Sequence, residues 1–157
     1  EEKISKKKAV ELFESGYLDS LEARKYNTLV QIHRYLFEDI YDWAGELRKV
    51  DISKKGTYFC SVNQLEELCE NCFKRLISNN YFKDLNKKEF INEIVDFYIT
   101  LNMLHPFREG NGRSTRIWLD MILKAYKKVV SCCHVSEPRV TVFSCHPIKV
   151  GANSYAA

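Results

Sequence analysis

The stretch HPFREGNGRSTR, at positions 105 to 116, concentrates the side chains of this chain that are best suited to phosphate chemistry. The titration range of a histidine side chain suits a general base at neutral pH, and His105 is the candidate in this stretch. Gly110 and Gly112 flank Asn111, and two glycines allow positive φ, so that successive backbone N–H groups can converge into an anion-binding nest. A helix that begins here points its positive end at the same anion. The stretch therefore predicts a phosphate site.

Three charged side chains in the same stretch extend this prediction. Arg113 and Arg116 are three residues apart, hence on one face of a first helical turn, where two guanidinium groups can hold phosphate oxygens. Glu109 precedes the nest and is placed to bring a hard cation such as Mg²⁺ to the same phosphates. The simpler alternative is a glycine-containing turn between two helices, with a capping His105 and two solvated arginines.

The elements that must position this stretch are mainly helices. A chain of 157 residues corresponds to about one domain, and 6 glycines with 3 prolines argue against low complexity. Apolar residues at helical spacing and three capping boxes predict five helices. The first helix is predicted at 6–13, and the last at 113–129. The three helices between them each begin at a capping box. The second starts at Asp19 and Glu22 and ends before Gly45, the third covers 65–77 after Asn63 and Glu66, and the fourth runs from Asn86 and Glu89 to Pro106.

The fourth of these helices is predicted to bury one long apolar face. Its members are Phe90, Ile91, Ile94, Val95, Tyr98, Leu101 and Leu104. Between Gly45 and Cys60 the helical period disappears, and apolar residues flank a Ser-Lys-Lys-Gly turn at 53–56, which predicts a β-hairpin. The fold class is therefore mainly all-α: a helical bundle with one hairpin over residues 1–130, followed by an irregular tail at 131–157.

Outside this stretch, the cysteine and histidine side chains have simpler interpretations than chemistry. Cys69 and Cys72 form a CxxC pair, but they lie on the apolar stripe of the 65–77 helix and are predicted to be core residues. His33 lies on the stripe of the second helix and is predicted to be packed there without a chemical role. In the tail, Cys132, Cys133, His134, Cys145 and His146 do not match the usual zinc spacings, so zinc is the minor alternative.

Charge and hydropathy exclude several functional classes. A net charge of +3 is too small to indicate polyanion binding, so no specific nucleic-acid partner is expected. No apolar run approaches the length of a membrane span, and the first residues lack the apolar part of a secretory signal. With six sparse cysteines read as reduced thiols, these features predict a cytoplasmic protein.

The stretch at 105–116 resembles the Fic-family pattern HPF-x-[DE]-GNGR-x-x-R at every defined position. The resemblance continues upstream through IHRYLFEDIYDWAGELR at 32–48 and ISKKGTYF at 52–59, and it covers about residues 5–130. The chain is most similar to the short, single-domain bacterial kind. The resemblance implies a Fic-type bundle whose hairpin is a flap.

The resemblance also implies a reaction, the transfer of AMP from ATP to a Ser, Thr or Tyr hydroxyl of a target protein, with release of pyrophosphate. His105 would be the catalytic base, and Glu109 would hold Mg²⁺. The nucleotide-binding residues would be Gly110, Asn111, Gly112, Arg113 and Arg116. The flap would dock the target by strand addition, with Ile52 and Phe59 as clamps. Self-association, common among the short members, is implied as well.

The chain departs from the family in one respect. Many Fic proteins carry an inhibitory helix with the pattern [ST]-x-x-x-E-[GN], whose glutamate pairs with the second arginine, and this chain contains no instance of that pattern. Arg116 is therefore expected to lack such a glutamate, and AMP transfer is expected to proceed without relief of inhibition. Three explanations stay open: regulation is lost, another chain supplies the glutamate, or a changed reading frame altered the tail. The functional alternatives are a nucleotide-dependent protein-binding module and a Fic protein inactivated by that tail.

Overall fold

The computed structural model describes residues 1–22 and 25–131. Six α-helices and one hairpin follow one another along this part of the chain. They are α1 (Glu2–Glu14), α2 (Tyr17–Ser20), α3 (Tyr26–Phe37), β1 (Ser53–Lys54), β2 (Thr57–Tyr58), α4 (Val62–Ser78), a short 3-10 turn (Asn80–Phe82), α5 (Lys87–Leu104) and α6 (Asn111–Ser131). The mainly α-helical class with one hairpin is confirmed. Apart from residue 131, the predicted tail and its zinc alternative lie outside the described residues.

An aromatic cluster fills the centre of the bundle, where α4, α5 and α6 meet. Trp118 of α6 is fully buried, stacks on Phe97 of α5 at 5.2 Å between centroids, and meets Phe73 of α4 edge-on at 5.4 Å. Rings of this size contribute most of the apolar area that stabilises a small core. Cys69 and Cys72 are buried on α4, as predicted.

The predicted apolar face of α5 is partly wrong. Phe97 is buried although it was not among the predicted core residues, while Ile91 and Val95 are each 47% exposed. The helix carries apolar residues on more than one side, and packing against α4 and α6 decides which of them lose contact with water.

One of the three predicted capping boxes forms. The Asn86 side chain accepts from the N–H of Glu89 at 3.1 Å, and the Glu89 carboxylate accepts from the N–H of Asn86 at 3.2 Å. Asp19 instead lies inside α2, and the next long helix begins only at Tyr26, because the chain is extended at Leu21.

The box predicted at Asn63 does not form either. Asn63 lies inside the first turn of α4, which begins at Val62. A side chain from another segment takes over part of the capping: the Asp51 carboxylate accepts from the N–H of Val62 at 2.7 Å. A cap supplied from eleven residues upstream has no local sequence signal.

The hairpin is confirmed, with shorter strands than its apolar flanks suggested. Lys54 pairs with Thr57 in an antiparallel register. The turn residues Lys55 and Gly56 have φ of 52° and 81°, which matches the twist that two-residue hairpin turns require. Among the described residues, no helix combines the length and the apolar character that crossing a bilayer demands.

Candidate active site

His105 is the C-cap residue of α5, which ends at Leu104, so the helix stops before Pro106, as predicted. Its backbone is left-handed, with φ 49° and ψ 62°. Such a conformation costs a residue other than glycine about 1–3 kcal/mol and is concentrated at functional sites. The ring Nδ1 lies 3.1 Å from the carbonyl oxygen of Asn102. Since a carbonyl oxygen can only accept, Nδ1 carries the hydrogen in the neutral ring, and Nε2 keeps its lone pair.

The surroundings of His105 keep the imidazole neutral. Phe59 of the hairpin stacks on the ring with 3.9 Å between centroids. Burial lowers the pKa of His105 below its ordinary value of 6.5, and the positive charges of Lys54 and Arg48 act in the same direction. The Asn102 carbonyl and the Glu109 carboxylate oppose this shift without reversing it. His105 is therefore in the form that can accept a proton at neutral pH.

A buried arginine joins the hairpin to His105. Arg48 is 2% exposed, and its guanidinium binds carbonyl oxygens from both sides of the site. It donates to the oxygens of His105 at 2.9 Å and Leu104 at 3.2 Å. On the hairpin side it donates to Val50 at 2.8 Å and to Cys60. One side chain thus fixes the turn at His105 and the base of the hairpin relative to each other.

Sequence reasoning missed this residue. Arg48 ends the segment 32–48 that resembles the Fic family, but it lies in a stretch without helical or strand period, so no pattern indicates that it is buried. The available signal is its position, a charged residue between the apolar Leu47 and Val50 at the start of the predicted hairpin.

His33 braces the loop that follows His105. It is fully buried in α3, which confirms the prediction of a packed residue. Its Nδ1 accepts from the N–H of Gly45 at 2.8 Å, so Nε2 carries the hydrogen and donates to the carbonyl oxygen of Glu109 at 2.9 Å. The ring also stacks on Phe107 with 3.8 Å between centroids. A residue expected only to pack therefore also sets the path of the loop.

The buried imidazole of His33 predicts a pH-dependent stability. Burial lowers the pKa of His33 to about 4, against 6.5 for an ordinary histidine. Between these values the unfolded chain binds the proton more readily, so the contribution of His33 to the free energy of unfolding is complete above pH 6.5 and declines as the pH falls towards 4. The loss should reach roughly 3 kcal/mol.

Urea unfolding at a series of pH values measures this decline. The variant His33→Gln keeps a polar side chain but does not titrate, so its unfolding free energy should change less between pH 6.5 and 4 than that of the parent chain. His105 contributes to both profiles and cancels from the comparison. Equal slopes in the two proteins would show that His33 does not supply the effect.

The glycine-rich loop is built differently from the expected two-glycine nest. Gly110 has φ 79°, whereas Gly112 lies inside α6 and does not have a positive φ. The helix begins at Asn111, two residues earlier than predicted, because the carbonyl of Gly110 already accepts from the N–H groups of Arg113 and Ser114. The positive end of the α6 dipole therefore follows directly after Gly110.

The Asn111 side chain is part of the loop's internal structure. It is buried, accepts from the N–H of Phe107 at 2.8 Å, and donates to the carbonyl of the same residue at 2.6 Å. These paired bonds close the loop between the two helices. Asn111 is therefore expected to contact a phosphate through its backbone N–H and not through its side chain.

Gly110 has no room for a side chain. A Cβ there would lie 2.3 Å from Cε2 of Phe37, in addition to the strain of the positive φ. We expect Gly110→Ala to lower the free energy of unfolding by about 1–3 kcal/mol more than Gly56→Ala, as overpacking of a core usually does. Gly56 is the matched control, since its φ is 81° and a Cβ there would meet nothing within 4 Å. Chemical denaturation of the two variants measures the difference, and equal losses would contradict it.

Glu109 and Arg113 meet at the start of α6. The Glu109 carboxylate is half exposed, accepts from the N–H of Gly110 at 3.0 Å, and lies 3.5 Å from the guanidinium of Arg113. Arg113 also donates to Ser5 at 2.6 Å and to the Glu1 carboxylate at 2.5 Å, both from the N-terminal helix region. The structure thus brings the predicted metal ligand and the first predicted phosphate ligand to one side of the loop.

The remaining predicted site residues lie on the two flanks. Arg116 follows on the first turns of α6 and is exposed. Ile52 is half-buried at the base of the hairpin, where its carbonyl accepts from the N–H of Phe59 at 3.3 Å. The described residues include no group of three or more His, Cys, Asp or Glu side chains that could hold a metal ion by themselves.

Known proteins have sequences similar to part of this chain. The chain is 38% identical over 91 residues to the probable protein adenylyltransferase Fic of Escherichia coli K12, a match that covers 58% of this chain and 46% of the relative. It is 40% identical over 90 residues to the protein adenylyltransferase VbhT of Bartonella schoenbuchensis, covering 56% of this chain and 19% of the relative. The chain therefore spans less than half the length of either relative.

The fold has close counterparts among solved structures. The N-terminal Fic domain of a Bartonella effector protein from Bartonella sp. AR 15-3 superposes with a TM-score of 0.73 at 25% sequence identity, over 80% of this chain and 63% of that one. The sequence profile of the Fic/DOC family matches residues 23–123, nearly two thirds of the chain, and this range contains the hairpin, His105 and the start of α6. The chain belongs to the Fic/DOC family.

Proposed function

We propose that this chain transfers AMP from ATP to a Ser, Thr or Tyr hydroxyl of a target protein. The observation that carries the proposal is the orientation of His105, whose Nδ1 lies 3.1 Å from the Asn102 carbonyl, so that Nε2 keeps its lone pair and can act as a base. The lowered pKa of His105 acts in the same sense. The names of its relatives, protein adenylyltransferases, support the same reaction.

The chemistry follows from the groups around the loop. His105 Nε2 takes the proton of the target hydroxyl, whose oxygen forms a bond to the α-phosphorus while the bond from that phosphorus to the bridging oxygen of pyrophosphate breaks. Pyrophosphate leaves, and AMP stays on the target. Backbone N–H groups after Gly110 and the guanidinium groups of Arg113 and Arg116 neutralise the phosphates. Such transfer depends on positioning and charge neutralisation more than on covalent help from the protein.

A magnesium ion fits the donor set beside this loop. Mg²⁺ is commonly held by one or two carboxylates together with the phosphates of a nucleotide, and Glu109 offers one half-exposed carboxylate next to Arg113. The ion would supply further neutralisation of phosphate charge. Because the described residues offer no complete metal cluster, the ion would depend on the nucleotide for its other ligands.

Mass spectrometry tests the proposed reaction. The protein is incubated with ATP, Mg²⁺ and a bacterial lysate, and proteins that gain the mass of one AMP are identified with the modified residue. We expect AMP on Ser, Thr or Tyr side chains of the lysate proteins or of the chain itself. Absence of AMP on every protein, including the chain, would reject the transferase function and favour a module that binds without reacting.

A further inference from the structure

One lysine of the hairpin lies on the face that covers His105. Lys54 pairs directly with Thr57, and directly opposed residues of a sheet share a face. The pairing continues one residue beyond β2, because the N–H of Phe59 donates to the carbonyl of Ile52 at 3.3 Å. Residues two apart in an extended segment share a face, so Phe59 lies on the same side as Thr57 and Lys54. Since the Phe59 ring stacks on the imidazole of His105, this is the side of the hairpin that faces the reacting hydroxyl.

The positive charge of Lys54 acts on the region around the His105 imidazole. Lys54 is exposed, and its positive charge contributes to the lowered pKa of His105, so the ammonium group acts on the region around the imidazole. Lys55, the next residue, belongs to the turn instead of the paired strands and has a φ of 52°. The two neighbouring lysines therefore differ in position while carrying the same charge.

When a target segment adds to the hairpin as a further strand, the position of Lys54 determines which residue of that segment lies beside it. The sheet of the described residues has two strands, so each strand pairs on one side and has an outer edge to which an extended segment can add. In such a segment the acceptor side chain must point towards His105, at the level of Phe59. The residue two positions away points to the same face, at the level of Lys54.

We infer that Lys54 selects target segments that carry an aspartate or a glutamate two residues from the acceptor hydroxyl. The inference rests on the proposed transfer of AMP and adds to it the chemistry of the partner: an extended, acidic segment of protein. A carboxylate at this position would pair with the ammonium group of Lys54, while one at the adjacent position would point to the opposite face.

A peptide library tests the inference. Short peptides with a central Tyr, Thr or Ser and mixed residues at the four nearest positions are incubated with the chain, ATP and Mg²⁺, and the peptides that gain AMP are sequenced by mass spectrometry. The same library is given to Lys54→Glu and to the matched control Lys55→Glu. Both substitutions lie on exposed residues and change the charge equally, so a difference between them reports position.

The expected result is an enrichment of acidic residues two positions from the modified residue, on one side of it, by about fivefold, the upper range for an exposed charge pair. Lys54→Glu should abolish or reverse this preference and leave the KM for ATP unchanged, whereas Lys55→Glu should keep the preference. A higher KM for ATP in Lys54→Glu with an unchanged peptide preference would assign Lys54 to the nucleotide and overturn the inference.

Failure of the inference and failure of the function are distinguishable. Peptides that gain AMP without an acidic preference overturn the role of Lys54 and leave the transferase function in place. Lysate proteins that gain AMP while no peptide does would also overturn it, because selection by Lys54 requires that a short segment be recognised. If neither proteins nor peptides gain AMP, the proposed function itself is wrong.

Discussion

Replacement of His105 by alanine is expected to lower the rate of AMP transfer by at least about a hundredfold, the usual contribution of a positioned general base. The hydrogen bond from Nδ1 of His105 to the Asn102 carbonyl leaves the lone pair on Nε2, which can then accept the proton of the target hydroxyl. Labelled ATP and a target identified from the lysate give the rate. Because His105 has a positive φ, the variant His105→Asn is the second test, since asparagine tolerates this conformation better than alanine does.

Both variants should stay folded and lose transfer. A rate above about a tenth of the parent rate in either one would exclude His105 as the base. The pH profile of the parent chain provides a separate check, because burial lowers the pKa of His105 below the ordinary histidine value of 6.5. The rate should therefore decline towards acid pH with a midpoint below 6.5, as the imidazole becomes protonated.

Replacement of Arg48 by methionine is expected to lower the free energy of unfolding by about 3 kcal/mol or more. The substitution leaves carbonyl oxygens of His105, Leu104, Val50 and Cys60 without the donor that they share, and each unsatisfied buried acceptor costs about 1–3 kcal/mol. Lys49→Met is the matched control, because Lys49 is highly exposed and its ion pair with Glu46 lies at the surface, where such pairs contribute about 0–1 kcal/mol.

Urea denaturation of Arg48→Met and Lys49→Met measures the difference between their free energies of unfolding. Arg48→Lys should be intermediate, since a single ammonium group cannot reach all the carbonyl oxygens that the planar guanidinium spans. Equal stability of the Arg48→Met and Lys49→Met chains would mean that water replaces the guanidinium without cost, and the role of Arg48 as a link between the hairpin and the turn at His105 would be wrong.

Features with a local cause were predictable from the sequence. The end of α5 before Pro106 follows from the missing N–H of proline, and the capping box at Asn86 follows from a pattern that spans four residues. The position of the hairpin turn follows from Gly56, which adopts a positive φ without strain, although the positive φ of Lys55 is not a preference of lysine. In each case the atoms that decide the structure are neighbours in the chain.

Features that depend on distant contacts were not predictable in the same way. The burial of Phe97 instead of Ile91 is decided by α4 and α6, and both residues look equally suited to a core. Gly110 was predicted for its freedom of φ, but the ring of Phe37 in α3 also excludes a side chain there. His33 was predicted to be buried, but its bond to the Glu109 carbonyl depends on the path of a loop that no pattern describes.

The position of the label in ATP distinguishes transfer of AMP from transfer of the terminal phosphate. In the proposed reaction, His105 Nε2 takes the proton of the target hydroxyl, and the hydroxyl oxygen attacks the α-phosphorus. ATP labelled on the α-phosphate should therefore label the target protein in the presence of this chain and Mg²⁺, whereas ATP labelled on the γ-phosphate should leave it unlabelled. Label from the γ-phosphate, or no label from either position, would show that the proposed reaction is wrong.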